Sequence, residues 1–321
     1  ELIGRVGIVA AHADSDGHSV ITLDAAAMLA RMVMVLPELF GEEFDNHERE
    51  LPLVVQGLLA TAPAIRAGQT TQVTFAKPFY PSDLPEGKTL NDVMHDAIYD
   101  NDPVMVERIL MGLYGTGADY RTIQIRSYDG ISTTFQNNGH PLLCAVRGTQ
   151  LLDAVEWADR TRTIIHWLAP HLPIHTEEPT WIQVVRSFLS DQQHSLASVR
   201  TRLAAPKNEN ALPLHQLILS DADTQHICQA VYDALVKNGA SPRAIASVIA
   251  LAATDLMQRV SDENRDAFIH AAHGLLFSSA IRIAFAEIQD PEAYPLVFTS
   301  AAYINALSKE LAQPATPSQQ V

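Results

Sequence analysis

Ser241-Pro242-Arg243-Ala244-Ile245-Ala246-Ser247-Val248-Ile249 opens with a capping hydroxyl followed by proline at the first helical position. The serine oxygen accepts a hydrogen bond from an amide that has no partner inside the helix. Proline loses nothing there because its nitrogen carries no hydrogen. Asp102-Pro103 and Asp290-Pro291 repeat the signal. Around these starts Ala, Leu and other helix formers dominate, whereas alternating β-branched runs are short and few. The chain therefore reads as all-α, with helices over Ile21 to Leu36, Leu51 to Ala67, Leu90 to Tyr99, Pro103 to Tyr114, Pro141 to Ala158 and Thr161 to Leu168. Others are expected over Trp181 to Leu189, Thr224 to Asn238, Pro242 to Arg259, Arg265 to Ile288 and Pro291 to Ala312.

Gly68 to Lys88 carries Pro78, Pro81 and Pro85 and reads as an ordered loop, with room for a short strand pair near Thr70 to Phe79. A second break falls at Ala204 to Pro213, and the tail from Gln313 to Val321 has nothing to bury. A weak internal repeat links the halves. Asp96-Ala97-Ile98 parallels Asp233-Ala234-Leu235, each is followed by a Pro-started helix, and Gly139-His140-Pro141-Leu142-Leu143 parallels His273-Gly274-Leu275-Leu276. The expected architecture is a helical bundle built from two weakly repeated multi-helix units. Residues 1–90 form N-terminal helices and a Pro-rich loop, 91–203 and 204–312 the two repeats, and 313–321 a flexible tail.

The 321 residues are 47% hydrophobic and 18% charged, which describes a chain able to build a large core. Lys plus Arg number 22 against 37 Asp plus Glu, a formal net charge of −15 that repels phosphate backbones and anionic lipid headgroups. Neither nucleic acid nor a membrane is an expected partner, and no apolar run reaches the roughly 20 residues of a bilayer span. Only Cys144 and Cys228 occur, without disulfide or CxxC spacing, which suits a reducing cytoplasm. The start at Glu1-Leu2-Ile3-Gly4, without Met, suggests a trimmed chain.

Thirteen histidines are unevenly placed. His18, His140 and His273 each stand beside a strongly apolar helical stretch, from which they could face a shared cavity as metal ligands or acid–base groups. Independent capping of separate helices is the competing reading. His270 and His273 share a helix face with Asp266, one turn beyond Glu263, which offers two nitrogens and one carboxylate to a non-haem iron or zinc ion, or an Asp–His hydrogen bond at a solvated end. The expected metal ligands are thus His18, His140, His270 and His273, with His140 and His273 catalytic. His166, His171 and His175 read as exposed, and His12 to His18 as a polar helix cap. Gly112 to Ala118 is a glycine C-cap, not a dinucleotide fingerprint, because no strand precedes it. No nucleotide-cofactor motif, GxSxG elbow or P-loop is present.

The stretches Gly139-His140-Pro141-Leu142-Leu143, Gln150-Leu151-Leu152-Asp153-Ala154-Val155 and Asn238-Gly239-Ala240-Ser241-Pro242 leading to His273 resemble two groups: the questin-oxidase-like family and a helical domain of bacterial proteins that also carry a Rieske iron-sulfur domain. The resemblance covers the last two thirds of the chain. It implies an oxygenase acting on an apolar or aromatic small molecule, with His140 and His273 lining the cavity. Neither Cys lies in the Cys-x-His pair of a Rieske cluster, so any such cluster would sit on a missing segment or on a redox partner protein. The alternative is a non-catalytic acidic scaffold that binds a partner protein.

Overall fold

The structure, a computed structural model, describes residues 2–35, 46–197, 211–261, 263–288 and 290–312. Among them are fourteen α-helices and no strand, so the chain is all-α. The tail 313–321, and the break near Ala204 up to residue 210, lie outside the described residues. The contacts divide the chain into two compact units: residues 1–130 with 140–174, and residues 131–139 with 175–321. The boundaries differ from those at 90 and 203 read from composition. The reason is that segment 131–139 is bonded into the second unit: Thr299 Oγ1 donates to Ser132 O at 2.7 Å, Arg186 Nε to Thr133 O at 2.8 Å and His175 N to Gln136 Oε1 at 3.0 Å. The two Pro-started helices of the repeat fall one in each unit.

Unit 1 holds α1 (Leu2–Ala11), α2 (His18–Val35), α3 (Asn46–Gly68), α4 (Leu90–Tyr99), α5 (Pro103–Gly115), α6 (Tyr120–Ile131, whose last residue belongs to the other unit), α7 (His140–Asp153) and α8 (Arg160–Leu168). The start signal at Asp102 is realised as read, its carboxylate accepting from Met105 N at 2.9 Å, and α4 has a cap that was not read, Thr89 with Asp92 reciprocating. At the end of α5 the chain turns at Gly117, φ +77°, where Ala118 N donates to Leu113 O. Gly112 lies inside that helix instead, and a Cβ there would stand 1.8 Å from Phe79 O. This close approach orders the Pro-rich loop: Phe79 N donates to Arg108 O at 2.8 Å and Ala76 N to the Glu107 carboxylate at 3.0 Å, and no strand pair forms.

Nearly every residue of α7 is buried. The helix was expected to run to Ala158 but stops at Asp153, since Glu156 and Ala158 take positive φ, which ends a right-handed helix. Within its core Arg147 Nη1 meets Asp24 Oδ2 of α2 at 3.2 Å, both buried.

Unit 2 holds α9 (Trp181–Ala197), α10 (Leu214–Ile218), α11 (Thr224–Tyr232) continued by a π-helical turn, α12 (Pro242–Arg259), α13 (Arg265–Glu287) and α14 (Pro295–Ala312). Ser241 caps α12 through Ala244 N at 3.1 Å, and Asp290 caps a short 3₁₀ turn over Pro291–Ala293 that leads into α14. α14 is buried along most of its length, and its Asn305 side chain donates to Ile218 O and Ser220 O. By length and composition two helical stretches, Glu50–Gly68 and Arg265–Ala286, are long and apolar enough to cross a bilayer, contrary to the expectation that none is.

Burial pushes the Asp24 carboxyl from 3.8 up to about 6 against the pull of the Arg147 guanidinium. A value above that of the unfolded chain means that folded protein holds a proton which the unfolded chain has lost between those two pH values, so this stabilisation falls as pH rises through the window. Urea unfolding of wild type and Asp24→Asn between pH 4 and 7 checks it. The stability of wild type minus that of the variant is expected to decline up to about pH 6 and then level off. A flat or rising difference contradicts it.

Candidate functional site

Asp14 sits before α2 and accepts from Ser19 N at 3.0 Å, Val20 N at 2.9 Å and Trp167 Nε1 at 3.1 Å, so the polar segment does cap a helix. Burial raises the Asp14 carboxyl above its ordinary value although the backbone bonds oppose it. The turn continues through Gly17 at φ +79°, where a Cβ would come 2.9 Å from Cys144 Sγ. This brings His18 to the first position of α2 and against His140, the first residue of α7. Their Nε2 atoms are 3.2 Å apart, with ring centroids at 5.1 Å and planes at 71°. His140 is buried whereas His18 is exposed, and His18 Nδ1 lies 3.2 Å from Asp16 Oδ2. Burial disfavours an ionised Asp16, but the backbone and ring of His18 outweigh it and hold that carboxyl below its ordinary value.

Asp16, His18 and His140 thus form a chain of carboxylate, exposed imidazole and buried imidazole. With Nδ1–H of His18 donated to Asp16, the neutral His18 ring presents a bare Nε2 that accepts from Nε2–H of His140. The same spacing suits an ion. Two nitrogens on one tetrahedral metal with bonds of about 2.0–2.1 Å stand about 3.3 Å apart, and Asp16 would fix the His18 ring from outside. Cys144 follows His140 by one helical turn, but burial drives its thiol so far up that it stays protonated. Among the described residues no three His, Cys, Asp or Glu side chains come together as a metal-holding group.

His270 and His273 belong to unit 2. His273 Nδ1 donates to Ile269 O of its own helix at 2.8 Å, and His270 Nδ1 donates to Glu310 Oε1 of α14 at 2.7 Å. The carboxylate partner of His270 is therefore Glu310, not Asp266, because α14 packs along α13. Two histidines read as exposed are not: His166 is half-buried and bonds Glu107 at 2.9 Å, and His171 is half-buried against Trp167.

Unit 2 also contains a groove of about 460 Å³ that sequence reasoning missed. Its wall is aromatic. Phe135 lies 4.3 Å from Tyr303, 4.9 Å from Trp181 and 5.8 Å from Phe277 by ring centroids, and Phe277 meets Tyr303 edge-on at 5.2 Å. Glu178 fixes the wall from behind: it accepts both bonds of a fork from Arg186, at 2.8 and 2.6 Å, and a third from Phe135 N at 2.8 Å. The Tyr303 ring is buried while its hydroxyl makes no hydrogen bond to the protein among the described residues, and burial, followed by Glu310, keeps it protonated. The floor turns through Asn137, Asn138 and Gly139, all at positive φ.

Compared with protein-family models, with curated proteins and with solved structures, the chain matches none.

A Cβ on Gly139 would stand 2.2 Å from Phe277 Cδ2 at φ +83°. Gly139→Ala is expected to cost roughly 2–4 kcal/mol through strain and overpacking combined. Urea unfolding checks this, and a loss below about 0.5 kcal/mol would show that the turn is not so constrained.

Proposed function

We propose that the protein binds a small aromatic or apolar molecule in the groove of unit 2. The observation that carries this reading is the groove wall of Phe135, Trp181 and Tyr303, which brings three aromatic rings and one phenol hydroxyl to a single concave surface. A volume of about 460 Å³ lies within the range of small-molecule sites, which are mostly apolar with a few placed polar groups. Aromatic rings offer a ligand flat apolar area, and the phenol offers one directional bond that orients it. Calorimetric titration with the uncharged probe 2-naphthylmethanol tests the reading. Saturable binding is expected in wild type, with at least tenfold weakening in Ala306→Trp, whose indole would fill the groove, while far-UV circular dichroism keeps its helical form. Binding that persists in that variant places the ligand elsewhere and ends the proposal.

The contact between His18 and His140 favours a second reading, an oxidoreductase in which a non-haem iron or zinc ion is held by these two rings. Bound iron would supply oxygen chemistry. In this reading Asp16 orients the His18 ring and His140 would anchor the ion from the buried side. The check is metal content by mass spectrometry on protein purified without an affinity tag. Stoichiometric metal in wild type, lost in both His18→Ala and His140→Ala, is the expected result. Metal-free wild type, or metal retained in both variants, removes this reading.

A further inference from the structure

The groove wall is aromatic, but its rim is charged with one sign. Glu177, Glu178 and Glu310 line the groove, and no Lys or Arg does. The three carboxylates are not equivalent. Glu178 is compensated by the fork from Arg186, at 2.6 Å for the shorter contact. Glu310 receives a hydrogen from His270 Nδ1, a bond that a neutral imidazole can make, so its negative charge need not be cancelled. Glu177 is exposed and forms neither an ion pair nor a hydrogen bond among the described residues. Lys309, next to Glu310 in sequence, acts on Asp223 instead. One carboxylate without a cationic partner, Glu177, and one whose partner is an imidazole, Glu310, therefore stand at the edge of an aromatic surface.

Resting on the reading that this groove takes a small aromatic molecule, we propose that the molecule is a cation, an aryl or aralkyl ammonium. An ammonium group is attracted by carboxylates and by the electron-rich faces of Trp and Tyr, whereas a carboxylate or phosphate on the ligand would meet Glu177 and Glu310 with nothing to pair it. The Tyr303 hydroxyl, lying in the same wall, can accept a hydrogen bond from the ammonium N–H. The chain's net charge of −15 also enriches cations near its surface.

The experiment compares three probes of one ring system by calorimetry at neutral pH: 2-naphthylmethylamine, protonated under those conditions, 2-naphthylmethanol and 2-naphthoate. The ammonium is expected to bind about tenfold more tightly than the alcohol, and the carboxylate to be the weakest. In Glu177→Gln/Glu310→Gln the ammonium should fall to the affinity of the alcohol, while the alcohol stays within about twofold of wild type. The preference should also shrink as salt is raised, because exposed charges are screened. Alcohol binding with no gain for the ammonium overturns this inference and leaves the groove reading standing. So does an ammonium preference that survives in the double variant. Failure of all three probes to bind overturns both.

Discussion

Three successive residues, Asn137, Asn138 and Gly139, adopt the left-handed conformation, and the aromatic groove of unit 2 depends on that turn. L-residues avoid it, Asn tolerates it and Gly is indifferent to it. Here glycine is required twice over, by its φ and by the Phe277 ring where a Cβ would be. On one side of the turn stands Phe135, set into the aromatic wall. On the other side His140 begins α7 and reaches His18. The turn thus fixes where the Phe135 ring is presented to the rest of the wall in unit 2.

Each unit then stabilises its polar groups by pairing them. In unit 1 the buried Arg147 and Asp24 satisfy one another in the middle of the helix that carries His140. In unit 2 the Arg186–Glu178 fork holds segment 131–139 through the Phe135 amide and Thr133 O, so an ion pair sets the backbone that positions the wall. Buried pairs of this kind contribute little net stability, but removing one partner leaves the other charged and unpaired, which costs several kcal/mol, about 3–5. They act as registers for the helices they join. The groove is read as a place for a ligand because Phe135, Trp181 and Tyr303 line it with aromatic surface and one phenol.

The helices were legible because their starts are chemical: Asp102 and Ser241 cap where the sequence placed caps. α1, α6 and α10 went unread: α1 is short and apolar, α6 is rich in polar residues and α10 is only five residues long. The nearness of His18 and His140 was legible as two imidazoles at the starts of apolar helices. His270 and His273 carry the same signal but are claimed by Glu310 and by the backbone of Ile269, which only packing between helices and rotamer choice decide. The groove was not legible at all. Phe135, Trp181, Phe277 and Tyr303 come from four separate segments with no spacing in common, and the only trace in the sequence is Asn137-Asn138-Gly139, a turn signal that does not say what it lines.

A crystal structure of the protein grown with 2-naphthylmethylamine tests the central claim most directly. The account expects the naphthyl ring against Trp181 and Tyr303, with the nitrogen within hydrogen-bonding reach of the Tyr303 hydroxyl and on the side of Glu177 and Glu310. An empty groove with the amine bound at another surface would contradict it.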